Sequence, residues 1–267
     1  MPDEDARLGA LVGQVRRSRK YRTVAEPLVR RIGAAELRKR ASLAEAVKAT
    51  KNKLHQVAGL YFAGQPDYDG WLRQIAQATD EDARHAALRA IMAQHASTRE
   101  RLPILESFYQ RVFADIAPVR SVLDLACGLN PLSLPWMPLA AGATYHAVDV
   151  YEDLVDFLQR ALALLGAAGR AEVRDLLAGS PADEADVALL LKAIPCLEQL
   201  DPAAGAFILD TINVRHIVVS FPTRTVGGWD VGMRQAYAAR FRALTAGRRW
   251  RVEPIVFAAE LVFRVTK

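Results

Sequence analysis

A strand that ends in an acid and a small-residue turn constrains this chain more than any other feature: Ser121-Val-Leu-Asp-Leu-Ala-Cys-Gly-Leu-Asn-Pro131. Val122, Leu123 and Leu125 form an apolar run of the kind a parallel strand needs when helices cover both of its faces. Ala126 and Gly128 let the backbone pass close to a ligand, and Pro131 suits the first position of a following helix. A second β-branched run, Ala143-Thr-Tyr-His-Ala-Val-Asp-Val150, places Asp149 25 residues after Asp124. An acid at the tip of the second strand is where open α/β sheets hold the two hydroxyls of a ribose.

The same turn restricts which ribose ligand fits. A dinucleotide fingerprint needs three glycines, so that a pyrophosphate can rest on the helix N-terminus. Here Gly128 stands alone, and Asn130-Pro131 crowds the helix start. An adenosyl ligand without phosphates, S-adenosylmethionine, is the better match. An ordinary strand-turn of an α/β protein is the plain alternative at this point.

Across residues 4–113 apolar side chains recur at three- and four-residue spacing, as in Leu37, Ala41, Ala44, Val47 and in Leu54, Val57, Ala58, Tyr61, which predicts helices. Gly59 to Gly70, with Pro66 and Asp67, interrupts the pattern, and Asp80-Glu-Asp82 puts acid at the start of the next helix, favourable against its dipole. From Ser121 onward strands alternate with helices. The predicted strands are Ser121–Ala126, Ala143–Val150, Ala171–Leu176, Val187–Lys192, Arg215–Phe221, Trp250–Phe257 and Leu261–Thr266. That order is an α/β, doubly wound sheet; its last two strands, parted only by Ala258-Ala259-Glu260, form an antiparallel edge hairpin. The expected division is an all-helical N-terminal domain, residues 1–113, and a sheet domain, residues 114–267.

Charge is segregated along the chain. The net charge is only +5, yet residues 1–60 hold 14 Lys or Arg against 6 Asp or Glu, so the remainder is net negative. Arg16, Arg17, Arg19, Lys20, Arg38, Lys39 and Arg40 carry much of this surplus, the footprint expected of a segment that grips a phosphate backbone. A merely solvated helical face is the alternative, and a membrane-surface helix fits less well because the segment lacks a bulky aromatic face. With no charged-then-apolar leader and no apolar run near the roughly 18 residues that span a bilayer, a cytoplasmic protein without membrane contact is expected. Two cysteines, Cys127 and Cys196, cannot build a disulfide scaffold, and no metal site is expected.

Four ordered motifs carry a family resemblance: His95-Ala-Ser-Thr-Arg-Glu-Arg101, Asp124-Leu-Ala-Cys-Gly-Leu-Asn-Pro-Leu-Ser-Leu-Pro-Trp136, Leu189-Leu-Leu-Lys-Ala-Ile-Pro-Cys-Leu-Glu198 and Ser220-Phe-Pro-Thr223. Together they resemble the aminoglycoside-resistance 16S rRNA (guanine-N7) methyltransferases, and the resemblance covers most of the chain. The one departure is Ala126, where methyltransferases more often carry glycine. The resemblance implies a Rossmann-like class I methyltransferase fold with S-adenosylmethionine as cofactor and the 30S subunit, through its 16S rRNA, as partner of a monomer. It implies that Arg101 reaches the methionine carboxylate, that Ala126 and Gly128 form the turn beside Asp124, and that Asp149 holds the ribose. Asp175 and Leu176 would meet the adenine, with Leu190 and Gln199 closing the crevice. Tyr61, His95, Ala96 and Ser97 complete the implied cofactor set, and Lys192 is placed with the RNA-contacting residues.

Methylation at guanine N7 needs no proton removed, which agrees with the lack of an obvious catalytic histidine or carboxylate pair; catalysis is expected from positioning. There is no Asn-Pro-Pro-aromatic motif of the kind used on exocyclic amino groups. Pro195-Cys196 is read as a packed thiol rather than a nucleophile. The segment Ser220–Trp229 follows the fifth strand at the ligand-binding edge, so Phe221 and Trp136 are the candidates for stacking on an extruded guanine, with Arg224 and Arg234 near flanking phosphates. A small-molecule methyltransferase of the same fold and a non-catalytic ribosome-binding factor are the alternatives.

Overall fold

The computed structural model describes residues 2–58, 62, 64–225, 228–229 and 231–267. Its first half is helical: α1 (Pro2–Arg16), α2 (Glu26–Leu37), α3 (Leu43–Ala58), α4 (Tyr68–Ala76), α5 (Glu81–Met92), α6 (Ala96–Arg101) and α7 (Leu105–Phe113). Local chemistry sets these starts. Ser42 and Glu45 exchange backbone N–H bonds as a capping box ahead of α3. Asp67 accepts from Gly70 N at α4 and Asp80 from Ala83 N at α5.

The second half builds β1 (Val119–Leu125), β2 (Leu139–Asp149), α8 (Glu152–Leu164), β3 (Ala168–Val173), β4 (Ala185–Leu191), α9 (Ile194–Glu198), α10 (Ala204–Thr211) and β5 (Val214–Pro222). A two-stranded ribbon, β6 (Arg224–Thr225) with β7 (Gly228–Trp229), precedes α11 (Val231–Thr245), β8 (Arg251–Val256) and β9 (Glu260–Thr266). The main sheet runs β3-β2-β1-β4-β5-β9-β8, its first five strands parallel and β9 antiparallel to both neighbours. All seven predicted strands are present, and the final hairpin sits at the edge as expected. Strand order reverses between β1 and β4, the topological switch point at which open α/β sheets leave a crevice.

Period-two alternation divides the sheet between two cores. Val122, Leu189, Leu191, Val218 and Val262 face α4, α5, α7 and α8, while Leu123, Leu190, Val219 and Phe263 face α10 and α11. A third core, Leu11 to Leu54, is built from α1–α3 and the α1–α2 connection, with Val150, Tyr151 and Leu200 of the sheet half packed against it. The cores therefore part after α3 and not at residue 113: Trp71, Leu88, Phe108 and Val112 pack with the sheet residues, because α4, α5 and α7 are its covering layer.

Two local expectations are corrected. The helix expected to open at Pro131 is a 3-10 segment, Asn130–Trp136, since Pro135 within it has no N–H to donate and cannot extend an α-helix. The third strand ends at Val173 instead of Leu176, because its partner β2 ends at Asp149, which pairs with Val173. Asp175 and Leu176 thus lie in the loop after the strand. No helix among the described residues is long and apolar enough to cross a membrane.

Candidate active site

A cleft of about 1020 Å³, its open mouth included, lies at the switch point over the carboxyl ends of β1, β2 and β4. Its floor is the turn after β1. Ala126 (φ 51°) and Gly128 (φ 53°) are both left-handed, as is Lys192 (φ 60°) at the end of β4. For a residue with a Cβ this conformation costs about 1–2 kcal/mol, and both such residues line the cleft. Backbone strain held in place by packing is characteristic of ligand sites. At Gly128 an added Cβ would lie 2.8 Å from His95 Cε1, so the imidazole would have to shift to admit it.

Two acids sit on neighbouring strand ends. Asp149 accepts from Gly128 N (2.9 Å) and Val150 N (2.7 Å), so it ties the turn of β1 to the end of β2. Burial raises its pKa, partly offset by those backbone donors. Asp124 is more deeply enclosed. Its Oδ2 accepts from Tyr145 Oη (2.6 Å) and Asn130 Nδ2 (2.9 Å), whereas Oδ1 has no hydrogen-bond partner among the described residues. Burial pushes the Asp124 pKa up to about 6 against the pull of Tyr145 and Asn130.

Asn130 links this acid to a buried cation. Its Oδ1 accepts from Arg101 Nη1 (2.9 Å) and Tyr109 Oη (2.6 Å). Arg101, 1% exposed, also donates Nη2 (2.7 Å) and Nε (3.2 Å) to the carboxylate of Glu260, itself 1% exposed at the start of β9. Burial alone would raise the Glu260 pKa, but Arg101 and then Lys192 hold it below the usual range. Lys192 Nζ lies 2.6 Å from Glu100 and 3.8 Å from Glu260. His95, packed on Gly128, has its pKa lowered to about 4 by burial and by Arg101, so the ring is neutral near pH 7.

At the far wall, Asp175 and Leu176 line the cleft. Asp175 receives both Arg31 Nε (2.8 Å) and Nη2 (2.7 Å), a donor pair that comes from α2.

His95, Ser97, Arg101, Ala126, Gly128, Asp149, Asp175 and Leu176 are brought together in the cleft, and Asp124 supports it through Asn130. Ala96 does not line the cleft, and Tyr61 lies outside the described residues. Leu190 is corrected: alternation along β4 sends it to the opposite core, and Leu191 takes the cleft side. Gln199 points outward, leaving Cys196, Leu197 and Leu200 on that wall.

The expected RNA-contacting set also divides. Phe221 cannot stack on a base here, being fully buried and stacked on Tyr237 at 4.9 Å on the α11 side of the sheet. Trp136 packs against His85 and Arg89, away from the cleft lining. Lys192 turns inward to its carboxylates instead of outward to a phosphate. Arg16 is engaged by Glu152 at 2.8 and 2.9 Å and so pins α1 to α8. Arg17, Arg19, Lys20, Arg38, Lys39 and Arg40 are exposed, and the Arg224 side chain lies outside the described positions. Sequence reasoning missed Arg31, Asn130 and Glu260. Asn130 was visible as a lone amide inside an apolar run; Arg31 and Glu260 act across 144 and 159 residues, with no local signal.

The family model for ribosomal RNA methyltransferase (FmrO) matches residues 17–264. The chain belongs to this family. It is 44% identical over 259 residues to the 16S rRNA (guanine(1405)-N(7))-methyltransferase of Frankia casuarinae, covering 95% of this chain and 91% of that one. The enzyme of the same name from Micromonospora echinospora is 40% identical, with 95% and 94% covered. Among solved structures, the 16S rRNA methyltransferase RmtF in complex with S-adenosyl-L-homocysteine superposes with a TM-score of 0.86 at 32% identity, covering 98% of each chain. The 16S rRNA methylase RmtB gives 0.80 at 27%, covering 97% of this chain and 98% of that one. This ribosomal RNA methyltransferase therefore shares its whole architecture, helical front included, with these two 16S rRNA methylases.

Proposed function

We propose that the chain transfers a methyl group from S-adenosylmethionine to N7 of the decoding-site guanine of 16S rRNA in the assembled 30S subunit, and so confers aminoglycoside resistance. The observation that carries this reading is the match, along 95% of the chain, to relatives named for methylation of guanine 1405 at N7. The cleft fits the cofactor on its own terms. It offers carboxylates for hydroxyl and amino donors at Asp149 and Asp175, a guanidinium for a carboxylate at Arg101, and no glycine-rich phosphate cradle. The orphaned Oδ1 of Asp124 marks a buried acceptor beside it that protein donors leave unmet.

S-adenosylmethionine, when bound, supplies a methyl group made electrophilic by its sulfonium. Guanine N7 has an exposed lone pair and no proton, so the chain's task is to hold the reactants in line. Arg101 would take the amino-acid carboxylate, braced from behind by Glu260 and Asn130. Asp149, fixed by Gly128 N and Val150 N, would orient the ribose, and Asp175 with Leu176 would bound the adenine. A neutral His95 keeps another positive charge away from the sulfonium.

The exposed cations of the α1–α3 module would bind rRNA phosphates. A fixed positive charge on N7 would repel cationic drugs and remove a hydrogen-bond acceptor. Labelled methyl transfer to purified 30S subunits and to naked 16S rRNA, followed by reduction, aniline cleavage and reverse transcription, tests the reading. One new stop at a decoding-site guanine, with 30S preferred, is expected. No incorporation, or incorporation elsewhere, would refute it.

A further inference from the structure

We propose that Arg31 is a positioning residue for the nucleoside end of the cofactor cleft, so that the basic N-terminal module forms part of the cofactor site as well as an RNA grip. The inference rests on reading the cleft as the S-adenosylmethionine site. Leu28 and Arg31 lie one helical turn apart on the same face of α2: Leu28 lines the cleft, and Arg31 meets Asp175. The pairing is a planar fork on a carboxylate, which fixes direction as well as charge. Asp175 is 6% exposed and takes one further bond, from Leu177 N to Oδ1 (3.1 Å). Among the described residues, Oδ2 thus keeps a lone pair for a ligand donor while its orientation is set from outside.

The same stretch of chain also clamps the segment after Asp149. Ala25 N donates to Val150 O (2.8 Å), Glu152 N donates to Thr23 O (2.7 Å), and Arg16 grips Glu152 with two bonds. Residues 16–31 therefore brace both acids that would face the nucleoside. Ordering either side of this seam orders the other, so cofactor occupancy and the docking of α1–α3 are energetically linked.

The test uses the full chain with S-adenosylhomocysteine as probe. Calorimetry should show affinity about tenfold weaker for Arg31→Met, the scale of one lost charge-assisted hydrogen bond, and an intermediate loss for Arg31→Lys, which keeps the charge without the fork. In the wild type, hydrogen exchange across residues 26–37 should slow when the probe is added. Arg31→Lys binding as tightly as wild type, or probe-independent exchange in α2, would overturn the proposal. Failure of the wild type itself to bind the probe would instead remove the reading of the cleft on which the proposal stands.

Discussion

The pair Arg101–Glu260 offers the sharpest energetic test, because both side chains are 1% exposed and each is the other's main partner. Removing one member of a buried pair costs about 3–5 kcal/mol, since the survivor keeps its desolvation penalty. Glu260→Met leaves Arg101 with the Asn130 side chain as its remaining acceptor among the described residues and should reach that range. Arg101→Met leaves Glu260 with Lys192 at 3.8 Å and the hydrogen bond of Ser220, which places it at the lower end. Against a typical total of about 5–15 kcal/mol these are large losses, roughly 10 °C in melting temperature for a chain of this size. The double variant removes both charges together and should cost less than either single change. Urea unfolding at pH 7.5 measures all three. The pH dependence has a definite sign: Glu260's folded pKa is lowered, so its stabilisation is present above the ordinary carboxylate range and is lost as pH falls through the folded value. Additive costs in the double variant would refute the account of this pair as a closed, mutually compensating unit.

Three other outcomes follow from the cleft. For Asp124, a folded pKa of about 6 means that the folded protein holds the proton more tightly than the unfolded chain, so stability falls as pH rises from about 4 to 6. Asp124→Asn should remove that cost, raising apo stability at pH 8 by up to roughly 3 kcal/mol and hardly at pH 4, while weakening S-adenosylhomocysteine binding; a variant less stable than wild type at both pH values would contradict this. Gly128→Ala forces a Cβ into the left-handed region and to 2.8 Å from His95, and should lower stability by about 1–2 kcal/mol or more and impair probe binding, as calorimetry and thermal melts would report. Replacing exposed Arg38, Lys39 and Arg40 by Glu should weaken 30S binding and flatten its salt dependence without altering probe affinity; an unchanged salt slope in sedimentation would count against the phosphate-binding role.

The parts of this molecule legible in the sequence are those in which local pattern and burial coincide. β4 could be read because a parallel strand buried on both faces shows an unbroken apolar run, β1 because Val122, Leu123 and Leu125 flank a single acid, and β9 because the apolar Leu261–Phe263 follows closely on β8. The turn at Ala126–Gly128 could be read for the same reason: small residues after a strand acid have few other uses. What pattern alone cannot supply is facing. Leu190 and Leu191 differ by one position and by the whole thickness of the sheet, and Phe221, the last residue of the predicted fifth strand, turns its ring toward α11 and not toward the ligand edge.

Charge shows a deeper limit. The basic front end reads as one property, yet folding distributes it among distinct tasks. Arg16 and Arg31 pair with Glu152 and Asp175, while Arg38 to Arg40 stay exposed, Lys39 and Arg40 beside Glu36 of α2. A cation count measures the long-range field that gathers a polyanion; which cations remain available for it depends on local carboxylates such as Glu26 and Glu36 and on others more than 130 residues away in sequence. Those distant pairs cross the seams of the fold, and the cleft lies on them. The residues hardest to foresee, Arg31 and Glu260, therefore hold the foreseeable ones, Asp175 and Arg101, in place.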